Sequence, residues 1–307
     1  MKSKMCRFLC YMGPGVHLAD LLYRPNNSLI LQSYRAQERT VPLNGDGFGV
    51  GWYTRVSDDS SPCVFTSITP AWSNGNLRRL SEHVKSSLFF AHVRAASPGM
   101  MVSEANCHPF VSGRYLWMHN GTIGDFARIK RRLRESLPDR LYNSIEGTTD
   151  SEHAFAVFLN FVGDTERALT AQELGRALEL TIKQIEGWAA EAKVVARSYF
   201  NFAVSGGGSM AAVRYVSDPL LEPASLYFSA GKKYRCVDGA CLFEPSSGDD
   251  ASVIIASERL TEESGDWTRV APNHVVTVSA NREVEVRLMD VARQSSTLPP
   301  GEKPTGQ

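Results

Sequence analysis

The sequence predicts an α+β layered domain, and the order of its apolar patterns is what predicts it. Short alternating runs fill the first third of the 307 residues, amphipathic helical patterns fill the middle, and alternating runs return after Ala196. Strands, then helices, then strands suit stacked sheets covered by helices better than a βαβ series.

Taken in order, CRFLCYM (6–12) alternates as a strand, HLADLLYR (17–24) suits one or two helical turns, and SLILQSY (28–34) is again strand-like. NGDGFGVGWY (44–53) reads as a glycine-dense loop feeding a strand. LFFAHVRAA (88–96) and YLWMHNG (115–121) are apolar strands that end in chemically capable residues, where scaffolds usually present function. Phe126, Ile129, Leu133 and Leu137 are spaced for one face of a helix whose other face is basic. Thr149 with Glu152 and Thr170 with Glu173 are capping-box patterns opening two further helices. YFNFAVSGGGSMAAVRYVS reads as a hairpin around GGGS, and SVIIAS and HVVTVSANREVEVRLM supply more strands. The proline-rich end reads as a disordered tail, 291–307, after one domain spanning 6–290.

Composition narrows the function classes. Lys+Arg and Asp+Glu balance at 33 each, so no global field recruits nucleic acid or an anionic membrane. No apolar run approaches the roughly 20 residues that span a bilayer, and CRFLCYMG is too short and too polar to read as a signal-peptide core. A cytoplasmic location is expected, and with it reduced thiols for the six cysteines rather than a disulfide framework. Cys236 and Cys241 flank a plausible hairpin turn and carry no assigned function. With no CxxC pair, a thiolate-rich zinc site is not expected, and neither metal nor cofactor is implied.

Four clusters are able to do chemistry: Cys6, Arg94, Asn120–Gly121 and Asp150. Singly they read as a packed thiol, a structural ion pair, a turn and a helix cap. Together they form a coherent set. An α-amine with a pKa of about 7.7–8.0 is a base for its own residue's thiol, provided that MKSKM (1–5) is absent or removed so that Cys6 leads the chain. The Asn120 amide and the Gly121 N–H are donors for an oxyanion. Arg94 suits an α-carboxylate through its bidentate fork, and Asp150 suits an α-ammonium.

MCRFLCYMG, NGDGFGVGWY, FFAHVRAAS, NCHPF, WMHNGTI and GTTDSE resemble the motif series of the class II glutamine amidotransferases, which are N-terminal-nucleophile hydrolases. PLNGDGFGVGWY, ITPAWSNGNL, SEANCHPF and IIASERLT resemble the stand-alone branch, which includes a subunit of a fungal glutathione-degradation complex; the γ-glutamyl hydrolase of ergothioneine synthesis is less close. The resemblance implies a four-layer αββα sandwich, Cys6 as nucleophile, Asn120 and Gly121 as oxyanion hole, and Arg94 and Asp150 gripping the glutamyl end. It also implies a carboxylate contact from Ser97 and a pocket wall from Gly45 and Asp46.

The expected activity is hydrolysis of a γ-glutamyl amide, in glutathione or a related γ-glutamyl thiol, through a thioester. With no synthase domain following, hydrolysis makes more sense than nitrogen donation. The alternatives are a glutaminase or ammonia-donating subunit, and a dependent or silent subunit of a peptidase-like complex; a homo-oligomer stays open. Cys107, His108, His92 and His119 match no ligand spacing and are read as structural. The basic RIKRRLR face is read as solvated, or else as a protein-docking surface.

Overall fold

A computed structural model describes residues 6–38, 43–54, 61–96, 101–237, 240–246 and 248–291. The expected leader, Ser97 and the expected tail from residue 292 onward lie outside the described residues.

The chain runs β1 (Arg7–His17), α1 (Ala19–Leu22), α2 (Leu29–Gln32), β2 (Phe48–Trp52), β3 (Cys63–Ser67), α3 (Gly75–His83), β4 (Lys85–Val93), β5 (Phe110–Ser112) and β6 (Tyr115–Thr122). Four helices follow: α4 (Phe126–Glu135), α5 (Asp139–Asn143), α6 (Asp150–Val162) and α7 (Ala171–Glu191). The rest is β7 (Tyr199–Ser205), β8 (Met210–Val216), β9 (Tyr227–Val237), β10 (Ala240–Pro245), β11 (Ser252–Ala256), β12 (Thr268–Arg269), β13 (His274–Val278) and β14 (Val284–Leu288). One antiparallel sheet has the order β10-β9-β11-β1-β4-β2-β3, with β12 on β9; the other has the order β14-β13-β8-β7-β6-β5.

Period-two alternation turns these sheets into four layers. Along β1, Phe8, Cys10 and Met12 enter the core between the sheets, while Leu9 and Tyr11 enter the core under α1–α3. Along β6, Leu116 and Met118 face the intersheet core, and Tyr115 and Trp117 face α4–α7. The αββα sandwich follows from that parity. The long helix α7 is also docked by charge, since the buried Glu179 accepts from Arg287 of β14 at 2.6 Å.

Several local readings change. SLILQSY is not a strand: the Ser28 hydroxyl accepts from the Leu31 N–H and starts α2, whose Leu29 and Ile30 cover the first sheet. Cys236 and Cys241 are joined as a disulfide, against the expectation of reduced thiols; the reason is register, because the two oppose each other directly across β9 and β10. Thr149 caps α6, but Glu152 does not close the box. Its carboxylate instead accepts from Glu146 N and Gly147 N at 2.8 and 2.7 Å, holding the loop before the helix. At α7 the capping box is complete. No helix among the described residues is long and apolar enough to cross a membrane.

Removing the α7 cap with Thr170→Ala is expected to cost about 1 kcal/mol of stability. Thr170→Ser should retain most of it, both read from urea-denaturation midpoints.

Candidate active site

β1 begins where β4 ends. Arg7 pairs with Val93 in the antiparallel ladder, so Cys6 sits beside the 94–96 segment just beyond β4. The half-buried Cys6 Sγ accepts from the Ala95 N–H at 3.4 Å and lies 3.7 Å from the Ala95 carbonyl. Burial raises the thiol above its ordinary pKa; the Ala95 amide, Arg94 and Arg7 act to lower it, and Asp150 adds to the rise. Two other sequence-selected groups, Arg94 and Asp150, therefore both act on the Cys6 thiol.

Arg94 is 4 % exposed. Its guanidinium donates to the Asp46 and Met101 carbonyls, at 3.3 and 3.4 Å, and pairs with no carboxylate among the described residues. Its backbone is clamped to the glycine-rich loop, with Arg94 N donating to Gly47 O at 2.8 Å and Asp46 N donating to Arg94 O at 3.1 Å. The Asp46 carboxylate accepts from Ala96 N at 2.8 Å, so it is committed to fixing this corner. Gly45 packs against Trp72, where a Cβ would stand 2.9 Å from the ring.

On β6 successive side chains part. Asn120 shares the parity of Met118 toward the intersheet seam, and its Oδ1 is buried without a partner. His119 turns to the helical layer, where it meets Ser151 Oγ at 2.8 Å and Tyr199 O at 3.2 Å. Gly121 has a steric reason to be glycine: a Cβ there would stand 1.9 Å from the Tyr199 carbonyl oxygen. Asp150 opens α6, and its carboxylate accepts from Ile123 N at 2.8 Å, which ties the helix start to the end of β6.

Sequence reasoning missed the residues that brace this geometry. Asn106 is fully buried, donates to Met101 O at 3.0 Å and accepts from Thr148 N at 2.9 Å, joining the segment near Arg94 to the loop before Asp150. Its place inside the quoted NCHPF motif was the only signal. Cys107 and His108 do not lie on a strand; they follow a 3₁₀ turn, Glu104–Asn106. His108 packs against His92 with the rings tilted and their centroids 4.3 Å apart, and both of its ring nitrogens are buried without partners. Burial holds His92 neutral, down to about 3, and pushes the Cys107 thiol up to about 11.

Comparisons with known proteins bear on the family and the fold. The chain is 41% identical over 293 residues to the "Probable glutamine amidotransferase DUG3" of Saccharomyces cerevisiae, covering 89% of this chain and 82% of that one. It is 32% identical over 120 residues to the γ-glutamyl-hercynylcysteine sulfoxide hydrolase of Mycobacterium tuberculosis, a match spanning 39% of this chain and half of that protein's length. Among solved structures, a glutamine aminotransferase class-II domain protein from Silicibacter pomeroyi superposes with a TM-score of 0.62 at 26% identity, covering 92% of this chain and 99% of that one. The glutamine phosphoribosylpyrophosphate amidotransferase from B. subtilis shares the fold at 14% identity, with a TM-score of 0.54 over 93% of this chain and 49% of its own. The family model described as glutamine amidotransferases class-II matches residues 24–300. The chain belongs to the class II glutamine amidotransferases, and is an enzyme of the C–N hydrolase kind.

Proposed function

We propose that this protein hydrolyses the γ-glutamyl amide bond of glutathione or a related γ-glutamyl thiol compound, with Cys6 as nucleophile. The observation that carries the reading is Arg94: a guanidinium 4 % exposed, held by carbonyl oxygens and facing no carboxylate among the described residues. A buried charge of that kind is stabilised by an anion, and a substrate α-carboxylate supplies one. Asp150, at the positive end of α6, is the complementary site for the substrate's α-ammonium.

In this scheme residues 1–5 are removed and the freed Cys6 amine takes the thiol proton. The sulfur attacks the γ-carbonyl, and the oxyanion is held by the Asn120 side-chain amide and the Gly121 N–H. Collapse breaks the C–N bond, the amine proton passes to the leaving nitrogen, and water then hydrolyses the γ-glutamyl thioester. The name of the mycobacterial relative supports a γ-glutamyl compound with a cysteine-derived leaving group. The name of the yeast relative favours a second reading, glutamine itself as substrate. Comparing kcat/KM for glutathione and glutamine decides between them: a preference for glutamine sinks the first.

Cys6→Ala should abolish turnover with the melting temperature unchanged, and surviving turnover would remove the nucleophile assignment. Asn120→Ala should lower kcat by about 10²–10³ with little change in KM. Arg94→Lys and Asp150→Asn should each lower kcat/KM for γ-glutamyl substrates by about tenfold or more, having lost a fork or a charge at the glutamyl end. Intact-mass analysis of protein from its native cell should give an active chain beginning at Cys6; full activity in a chain that retains Met1 would rule out the amine as base.

A further inference from the structure

Directly after the nucleophile lies a buried ion pair to which no role is yet assigned. Arg7 is 3 % exposed and Glu258 is fully buried. Arg7 Nε donates to Glu258 Oε1 at 2.8 Å, and Arg7 Nη1 donates to the Cys6 carbonyl at 3.1 Å. Glu258 is itself anchored, its Oε2 accepting from Gln37 N at 2.9 Å and Asn27 Nδ2 at 3.5 Å. One residue earlier, Ser257 grips β1 twice: Phe8 N donates to Ser257 Oγ, and Ser257 N donates to Phe8 O, both at 3.0 Å. The start of β1 is thus held between the 94–95 segment and the 257–258 segment.

Isolated burial of two charges is expensive, and an ion pair is a poor route to stability alone. Here the pair ends on the backbone oxygen of Cys6. Resting on the reading of Cys6 as an N-terminal nucleophile, we propose that Arg7 and Glu258 are positioning residues for it. They hold the Cys6 carbonyl and thereby fix how the thiol and the α-amine of that residue stand toward the substrate carbonyl. A terminal residue has no preceding peptide to orient it. A held carbonyl fixes the Cα–C axis from which the amine and the thiol both project, and the Ala95 N–H contact to the sulfur restrains the one rotation that remains about that axis. Small displacements of a nucleophile carry large rate penalties. The charged groups that act on the Cys6 thiol are Arg94 beyond β4, Arg7 on β1 and Asp150 on α6, with the Cys107 thiol also within range.

The experiment measures kcat, KM and the iodoacetamide alkylation rate of Cys6 in the mature enzyme and in two variants. Glu258→Gln keeps the shape and removes the charge. The double variant Arg7→Met with Glu258→Leu removes the pair without leaving a buried charge behind, so it keeps the test open if the single variant fails to fold. In whichever variant melts within a few degrees of wild type, kcat is expected to fall by about 10- to 100-fold with KM within about twofold. A folded variant with wild-type kcat, or one changed in KM alone, overturns the proposal. The alkylation arm tests the reading beneath it: labelling wild-type Cys6 should abolish hydrolysis, and hydrolysis that survives labelling sinks the nucleophile assignment whatever the variants do.

Discussion

The structure depends on the antiparallel register of β1 between β4 and β11. Arg7 lies opposite Val93, and Leu9 opposite Ala256, so the first residue of β1 meets the residues leaving the other two strands. Every contact of Cys6 follows from that pairing. A slip of one residue would exchange Phe8, Cys10 and Met12 for Leu9 and Tyr11 in the intersheet core, and would turn the Cys6 side chain to the other face. Tight apolar packing on both faces of β1 therefore also locates the thiol.

Charge at this corner is arranged unevenly. Arg7 is paired with a buried carboxylate, whereas Arg94, equally buried, rests on carbonyl oxygens. The same residue type is paired with a carboxylate at one position and rests on backbone oxygens at the other, and the proposed anion-binding role of Arg94 rests on that contrast. The loops that carry Arg94 and Asp150 are tied through Asn106 and Glu152, which spend their polar atoms on backbone groups. The two groups that would grip a substrate are thereby held by residues that need not touch it.

Much of the architecture was legible locally. Alternation in CRFLCYM and YLWMHNG, the 3-4 spacing of Phe126, Ile129, Leu133 and Leu137, and the cap at Thr170 each name an element from neighbouring residues alone. SLILQSY shows where that fails. An apolar run of this length carries no decisive period, and the Ser28 cap with the need to cover the first sheet made it helical. The SEANCHPF and IIASERLT segments carry a family resemblance, yet the contacts that Asn106 and Glu258 within them make are with distant segments and leave no local pattern.

What the sequence by itself determined is therefore the kind of chemistry and the layering: a thiol, a guanidinium, an amide and a carboxylate at element ends, and apolar periods of 2 and 3.6 that demand sheets covered by helices. Only the tertiary structure decided the pairings. Arg7 meets Glu258 across 251 residues, Cys236 meets Cys241 because a ladder opposes them, and Arg94 is left without a carboxylate among the described residues. The physical reason is that periodicity records which face of an element avoids water. Which charge is compensated depends on what else is buried within a few ångströms, and distant segments supply those neighbours only once the sheets have paired.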